Sequence, residues 1–199
     1  DGIRNGKGTF LHQNGDIYIG NWVDGNMEGD GSYSYSNGNK YIGQWKKNKM
    51  DGQGIFTNSD GKVYNGAFIN GRLEGQGIFT HLNGDKYSGF WIEGMMEGWG
   101  LFSDANGNKY EGDWKNDNYN GNGTFTYSNG ASYEGEWKEG RKDGQGAFLS
   151  VNGDKYVGMW TSGIKNGQGI YINSNMDKYI GEWKNDLRSG PGTQAYENG

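Results

Sequence analysis

Aromatic and glycine residues alternate with mainly polar residues along this chain, with a period of two inside short segments. The motif Tyr-x-Gly-x-(Trp/Phe) occurs eight times at a constant interval of 23 residues, and Gly-x-Gly-x-aromatic follows every copy except the last. A period of two predicts β-strands. Asn-Gly or Asp-Gly follows the second segment in most repeats, which is a strong hairpin signal. The motifs begin at Tyr18, Tyr41, Tyr64, Tyr87, Tyr110, Tyr133, Tyr156 and Tyr179.

The same alternation predicts which positions oppose one another. If each repeat is counted from its Tyr as position 0, positions 0, 2 and 4 share one face of a first strand, and positions 11, 13 and 15 share one face of a second. For these faces to coincide, position 4 must oppose 11, position 2 must oppose 13, and the Tyr must oppose position 15. We expect a wide turn at positions 5–10 within each repeat. Between repeats we expect a three-residue turn with a bulge at its Gly.

These pairings predict an all-β fold, an elongated single-layer antiparallel β-meander of successive 23-residue hairpins that forms a twisted or curved rod. We expect one continuous array over residues 1–199, with a partial repeat at 1–17 and a terminal repeat at 179–199. The Gly residues leave space for large rings to lie over the neighbouring backbone, so aromatic rings act as the core. Full repeats are expected to start at residues 18, 41, 64, 87, 110, 133 and 156.

The amino-acid composition indicates which classes of partner and which cell compartment to expect. The chain has 40 Gly, 32% hydrophobic residues, no Cys and a net charge of −5. Nucleic acid is not an expected partner, because its binding needs clustered Lys and Arg. The absence of Cys fits the reducing cytosol, so we expect a cytoplasmic protein. Because the chain begins within a repeat and without Met, we expect it to be an excerpt of a longer protein.

The repeat resembles a known family. Residues 133–146 read Tyr-Glu-Gly-Glu-Trp-Lys-Glu-Gly-Arg-Lys-Asp-Gly-Gln-Gly, which is similar to the MORN repeat (membrane occupation and recognition nexus), and the resemblance covers essentially the whole chain. It implies an elongated sheet of hairpins used for scaffolding, oligomerisation, partner binding and, by an older proposal, phosphoinositide binding. Proteins made only of these repeats are similar to cytoskeletal scaffolds, so the resemblance also implies a cytoskeletal location.

The sequence provides no candidate catalytic, cofactor-binding or metal-binding residues, and we expect neither enzymatic activity nor a cofactor. His12 and His81 occupy the same position three repeats apart, so they cannot share a metal ion within one chain. Acidic residues recur at position 10 near the turns. No deep pocket is expected there to raise the pKa of a carboxyl group for acid/base work.

Two groups of residues are candidate binding sites within the regular repeats. Met95, Met96 and Trp99 interrupt the usual polar positions, and Met and aromatic residues are enriched at protein interfaces. Filling between hairpins is the alternative role for these three residues. The densest basic spot is formed by Lys46, Lys47 and Lys49. It is the candidate site for a lipid headgroup, although a durable polybasic site usually needs about 4–8 basic residues.

The repeat pattern changes at the C-terminal end. Met176 replaces the turn Gly, Pro191 lies between two glycines, and Gln194 replaces the aromatic residue at position 15. Proline is tolerated mainly on edge strands, and an open edge can pair with another chain. We therefore expect a C-terminal edge that forms a tail-to-tail homodimer, with a capped monomeric edge as the alternative. The dimer-edge candidates are Trp183, Leu187, Pro191 and Tyr196.

The leading functional hypothesis is a noncatalytic scaffold that binds itself and cytoskeletal or other proteins. The first alternative is a module that binds membrane phosphoinositides, which would place the protein at the periphery of a membrane. The second alternative is the regulatory repeat segment of a larger enzyme.

Overall fold

The computed structural model describes residues 2–197, and within this range it contains seventeen β-strands joined by short turns. The chain divides into two compact units, residues 1–97 and 98–199, with the boundary inside strand β9. The strands are β1 (Gly6–Leu11), β2 (Ile17–Val23), β3 (Asn26–Ser34), β4 (Lys40–Lys46), β5 (Lys49–Thr57), β6 (Val63–Ile69), β7 (Arg72–Thr80), β8 (Lys86–Ile92), β9 (Met95–Ser103), β10 (Lys109–Lys115), β11 (Asn118–Thr126), β12 (Ser132–Lys138), β13 (Arg141–Leu149), β14 (Lys155–Thr161), β15 (Ile164–Ile172), β16 (Lys178–Lys184) and β17 (Leu187–Ala195).

Each unit is a single-layer antiparallel meander, as the sequence predicts. In the first unit, β1 to β8 pair in chain order. In the second unit, the part of β9 from Gly98 pairs with β10, and the order continues to β17. Every connection in these orders is a hairpin. Within a full repeat the first strand is the shorter one and the second is the longer one.

The register between repeats is the predicted one. Position 15 opposes the following Tyr, position 13 opposes the following Gly at position 2, and position 11 opposes the following Trp at position 4, as in the pair Gly29 and Trp45. The turn that sets this register is a three-residue loop. His12 N–H donates to Asp16 O at 2.8 Å, and Gly15 N–H donates to His12 O at 3.0 Å. Gly15 has φ +89°, so the predicted left-handed Gly of a three-residue hairpin loop is confirmed.

Within a repeat, two of the three predicted pairings are confirmed: the Tyr opposes position 15, and position 2 opposes position 13. The third pairing differs from the prediction. Position 4 opposes position 9 rather than 11, as in the pair Trp45 and Met50. No wide turn is present in these hairpins. Lys47 and Asn48 form a two-residue turn with φ values of +48° and +66°, which is the type I′ geometry that matches the twist of a hairpin. A bulge follows on the second strand, where Gly52 at position 11 has φ +107°, so Gly is needed there for a left-handed backbone.

The glycines at positions 2 and 13 make room for the tyrosine rings, as predicted. Tyr41 lies over the paired glycines Gly43 and Gly54, and its hydroxyl donates to Gln44 O at 2.9 Å. A Cβ added to Gly54 would lie 2.5 Å from Cζ of Tyr41, a distance that two such atoms cannot adopt. Gly is therefore required wherever a position-0 Tyr covers the sheet, and the ring replaces the missing side chains as core.

The Tyr at position 0 and the Trp or Phe at position 4 form a series of edge-to-face contacts in each unit. Tyr41 contacts Trp45 of its own repeat and Phe68 of the next, with ring centroids 5.1 Å apart in both cases. Edge-to-face pairs are favourable beyond the area that they bury. Trp45 Nε1–H also donates to Gly31 O at 3.2 Å. We call these rings the ring ladder: Tyr18, Trp22, Tyr41, Trp45, Tyr64, Phe68, Tyr87 and Trp91 in the first unit, and Tyr110, Trp114, Tyr133, Trp137, Tyr156, Trp160, Tyr179 and Trp183 in the second.

Candidate functional site

The two faces of each sheet differ in what they offer to another molecule. One face carries the buried ring ladder. The opposite face, which we call the outer face, carries positions 1, 3, 12 and 14, and several large apolar side chains are exposed there. Ile42 and Ile55 lie directly opposite each other in the first unit, as do Val157 and Ile170 in the second. The outer face is therefore the surface on which apolar groups remain available for contact.

A depression of about 790 Å³ lies on the outer face of the second unit. Trp99 and Asp113 lie directly opposite each other there, on β9 and β10. Glu111 and Glu134 flank Thr124, because each is its partner on the neighbouring strand. We call this depression the acidic groove: Trp99, Glu111, Gly112, Asp113, Asn122, Gly123, Thr124, Glu134, Gly135, Gln145, Gly146, Ala147 and Val157.

The acidic groove combines negative charge with an exposed indole. Its lining has three carboxylates and no Lys or Arg. Asp113 Oδ2 accepts a hydrogen bond from Asn122 N–H at 3.0 Å, which connects β10 to the bulge of β11. In the described part of the chain, the side chains of Glu111 and Glu134 are exposed and have neither a hydrogen bond nor an ion pair. Two carboxylates of the groove are therefore free to interact with a bound group.

Trp99 differs from the other tryptophans in its exposure. Its side chain is 49% exposed, whereas the seven Trp residues of the ring ladder are at most 6% exposed. Position 12, which it occupies, is polar in most repeats and lies on the outer face. A large indole that contributes nothing to the buried core is available for binding.

The other two residues of that predicted interface belong to the first unit. Met95 is exposed and Met96 is half-buried. Met96 stands at position 9, the position that opposes Trp within the other repeats. Sequence parity therefore assigns Met96 to the core side of β9, while Trp99 lies in the acidic groove of the second unit. A role of Met95 and Met96 in partner binding stays a prediction.

The dimer-edge candidates do not all lie at the edge. Trp183 is buried in the ring ladder, with its ring centroid 5.1 Å from that of Tyr156, and its indole N–H donates to Gly169 O at 3.4 Å. Leu187 and Pro191 lie on β17, and Tyr196 follows that strand; all three are exposed. The edge surface therefore consists of β17 and residues 196–197, without Trp183.

The three candidate headgroup lysines surround one type I′ turn and are exposed. Lys47 N–H donates to Glu28 Oε2 at 2.9 Å, and Lys49 Nζ donates to Asn70 Oδ1 at 3.5 Å. The Glu28 carboxylate lowers the local positive potential, which weakens attraction to a phosphate group.

Position 9 carries a feature that the sequence patterns did not indicate. In the second unit this position holds Tyr119, Lys142, Lys165 and Arg188, on the face of the ring ladder, so three of its four side chains are cationic. Lys142 Nζ lies 4.6 Å from the ring centroid of Phe148 and 5.0 Å from that of Trp160, within range of a cation–π interaction. Burial lowers the pKa of Lys142 and of Lys165. The contacts of these cationic side chains with the rings could have been predicted from the sequence only if position 9 had first been paired with the Trp at position 4.

The equivalent place in the first unit is an apolar pocket of about 320 Å³. Met50 and Leu73 occupy position 9 here, and Phe68 replaces the usual Trp at position 4. Because Phe is smaller than Trp, space remains between these side chains and Phe79. The two units therefore present different chemistry on the ring-ladder face.

Residues 2–197 contain no group of three or more His, Cys, Asp or Glu side chains that could hold a metal ion. In the same part of the chain, no helix is long and apolar enough to cross a membrane.

The exposure of Trp99 leads to a spectroscopic prediction. Replacing Trp99 by Phe is expected to remove most of the tryptophan fluorescence that ionic quenchers in solution can reach, because the other indoles are buried. In the unsubstituted protein, the ratio of the caesium to the iodide quenching constant should exceed the ratio measured for free N-acetyltryptophanamide, since the carboxylates of the acidic groove attract cations. Stern–Volmer titrations at low salt measure both effects.

Trp45→Phe is the matched control, because Phe68 shows that the ladder accepts Phe at position 4. This variant should keep the quenchable fraction of the emission. A caesium-to-iodide ratio below that of free N-acetyltryptophanamide would contradict a negative potential around Trp99.

Comparisons with known proteins give one family match and a set of low-scoring structural matches. The family model of the MORN repeat matches nine consecutive segments, which together cover residues 1–175 and 179–199. No curated protein sequence gives a significant match. One similar solved structure is the TCP domain of SAS-4 (dCPAP) of Drosophila melanogaster, in complex with a proline-rich motif of Ana2 (dSTIL): 12% identity, 89% of this chain and 90% of that chain covered, TM-score 0.47. Another is the TCP10c domain of Drosophila melanogaster Sas-4: 13% identity, 89% and 99% covered, TM-score 0.45. These scores support no argument about function.

Proposed function

This chain belongs to the MORN-repeat family, and we propose that it is a noncatalytic scaffold that binds other proteins and a second copy of itself. The observation that carries this proposal is the difference between the two faces of each sheet: one face carries the buried rings and the other carries exposed apolar side chains. The ring ladder stabilises the fold from one face, so the exposed apolar side chains of the outer face are not needed for the core. Exposed apolar groups that lie side by side are typical of surfaces that bind other proteins.

Self-association through the C-terminal edge has its own support. Strand β17 pairs with β16 along one side, and nearly all of its residues are exposed. Leu187 at the start of the strand is 70% exposed, and an exposed edge strand is a template for pairing with another chain. Pro191 lacks a backbone N–H, so pairing would use the strand on either side of it. A symmetric pair of β17 strands would give the tail-to-tail dimer.

Sedimentation velocity tests this dimer. We expect the protein to sediment as a dimer at micromolar concentrations, and Leu187→Asp to weaken the dimer about tenfold or more, which corresponds to about 1.4 kcal/mol. The control is Leu82→Asp, because Leu82 is equally exposed at 72% but lies in a loop of the first unit. A protein that remains a monomer at high concentration would remove self-association from the proposal.

We also propose a cytoplasmic, cytoskeleton-associated location, which rests on family membership and on the absence of cysteine. Co-sedimentation of the protein with the detergent-insoluble fraction of cells tests it.

Phosphoinositide binding has weaker support. The exposed turn at Lys46, Lys47 and Lys49 provides three basic residues, fewer than the about 4–8 that durable polybasic binding usually needs. Salt-resistant flotation with anionic vesicles would favour this alternative. The role of a regulatory segment in a larger enzyme also stays open, and a catalytic domain elsewhere in the full-length sequence would favour it.

A further inference from the structure

We propose that the acidic groove of the second unit binds an extended segment of a partner protein that carries Lys or Arg side chains about three residues apart. This inference rests on the proposed role as a protein-binding scaffold, and it specifies the partner chemistry and the surface. It concerns the outer face, away from the ring ladder.

The first contact is an anchor for one cationic side chain. Trp99 and Asp113 are a directly opposed cross-strand pair, so their Cβ atoms are about 5 Å apart. An ammonium or guanidinium group over the indole would gain a cation–π interaction and, from the same position, an ion pair with the carboxylate. Asp113 uses Oδ2 to accept the Asn122 N–H, which holds the carboxylate in place and leaves Oδ1 for the ligand.

The second contact is a pair of carboxylates with a fixed spacing. Glu111 and Glu134 lie on β10 and β12 and flank Thr124 on the strand between them. Adjacent strands are about 4.8 Å apart, so the two glutamates are about 10 Å apart. A polyproline II segment has three residues per turn and advances about 3.1 Å per residue, so basic side chains at residues i and i+3 lie on the same side of it and are about 9 Å apart. A segment that crosses the strands can therefore pair with both glutamates.

The lining of the acidic groove also disfavours other occupants. Three carboxylates in a lining that contains no Lys or Arg repel a phosphate group, whether in nucleic acid or in a lipid headgroup. An apolar segment would bury Glu111 and Glu134 without a partner, which is costly. By contrast, Ala147 and Val157 at the other end of the groove offer apolar surface for the methylene stems of Lys or Arg.

A peptide titration tests the proposal. The probe is a fluorescein-labelled peptide with the sequence Lys-Gly-Gly-Lys-Gly-Gly-Lys, and the control probe has Glu in place of each Lys. Fluorescence anisotropy is measured at 50 mM and at 300 mM NaCl. We expect saturable binding of the Lys probe, a decrease in its affinity at the higher salt concentration, and no binding of the Glu probe.

Variants link this binding to the acidic groove. The double substitution Glu111→Gln and Glu134→Gln is expected to weaken binding of the Lys probe at least tenfold, and Trp99→Ala at least threefold. The matched control is Glu139→Gln with Glu197→Gln, which makes the same change in charge on exposed residues of the second unit outside the groove. This control should change the affinity less than twofold. Because all five side chains are exposed, far-UV circular dichroism should show an unchanged fold.

Several results would overturn the proposal. These are equal weakening by the control variant, equal binding of the Glu probe, unchanged affinity after Trp99→Ala, and no saturable binding at 50 mM NaCl. Loss of self-association in the Glu111→Gln and Glu134→Gln protein, without peptide binding by the unsubstituted protein, would identify a second copy as the occupant instead. Sedimentation of the Leu187→Asp protein and titration of the acidic groove have independent outcomes. If the protein is a monomer that binds the Lys probe, only the proposed self-association is contradicted. If it is a dimer that does not bind the Lys probe, only this inference is contradicted.

Discussion

Replacing Gly54 by Ala is expected to lower the free energy of unfolding by about 3 kcal/mol or more, at the upper end of what overpacking usually costs. The added Cβ would lie 2.5 Å from Cζ of Tyr41. Tyr41 cannot give way cheaply, because its side chain is fully buried and its hydroxyl is bonded to Gln44 O. Its ring is also held between Trp45 and Phe68. The clash must therefore displace either the ring ladder or the backbone.

Gly8→Ala is the matched control for this substitution. Gly8 occupies the same repeat position, 13, but no Tyr atom lies within 4 Å of the place that its Cβ would occupy. A Cβ there would meet Trp22 at 3.9 Å, which is an ordinary contact, so we expect a change within about 0.5 kcal/mol. Urea unfolding monitored by far-UV circular dichroism measures both variants. Equal destabilisation at the two positions would show that Gly is required by the strand and not by the Tyr ring.

The comparison of the two hairpin types shows what sequence parity can and cannot determine. The inter-repeat register was predicted correctly because Asn14-Gly15 and its equivalents identify a short turn. Within a repeat only the pairing of position 4 was wrong, because positions 9 and 11 have the same parity and alternation places both on the face of the Trp at position 4. The pair Asn70-Gly71 does carry a type I′ signal at positions 6 and 7, but Lys47-Asn48 fills the same turn without Gly. A signal that is absent from some repeats is hard to recognise by period alone.

The candidate site was predictable only in part, for a related physical reason. Trp99 departs from the residues at the same position in other repeats, so it could be singled out from the sequence. Glu111 and Glu134 are 23 residues apart and look like ordinary surface acids. Only the sheet pairing brings them to either side of Thr124. Trp183 was predicted to lie at the edge because it is close to the C-terminus. In the structure it is a core residue of the ring ladder.

Raising the pH from 10 to above 12 is expected to unfold the protein. The ladder buries one Tyr per repeat, and desolvation raises the pKa of Tyr41, Tyr64 and Tyr156 to about 12, compared with about 10 in an unfolded chain. Desolvation also raises the pKa of Tyr110 and Tyr133. Because the folded state holds these protons more tightly, their contribution to stability is complete below pH 10. It is lost as the pH rises from 10 through 12.

The effect should be large because the same shift is repeated in both units, and a phenolate cannot remain in the ladder without disrupting the neighbouring rings. Absorbance at 295 nm reports tyrosine ionisation, and far-UV circular dichroism reports the strands, so the two transitions are expected to coincide. Tyr64→Phe is the control, since it keeps the ring between Phe68 and Trp91 but removes one ionisable group. Its stability should fall less between pH 9 and pH 11 than that of the unsubstituted protein, even though it loses the hydrogen bond to Ala67 O at every pH. Ionisation of all tyrosines near pH 10 with the sheet intact would mean that water reaches the ladder, and the rings could then not act as the core.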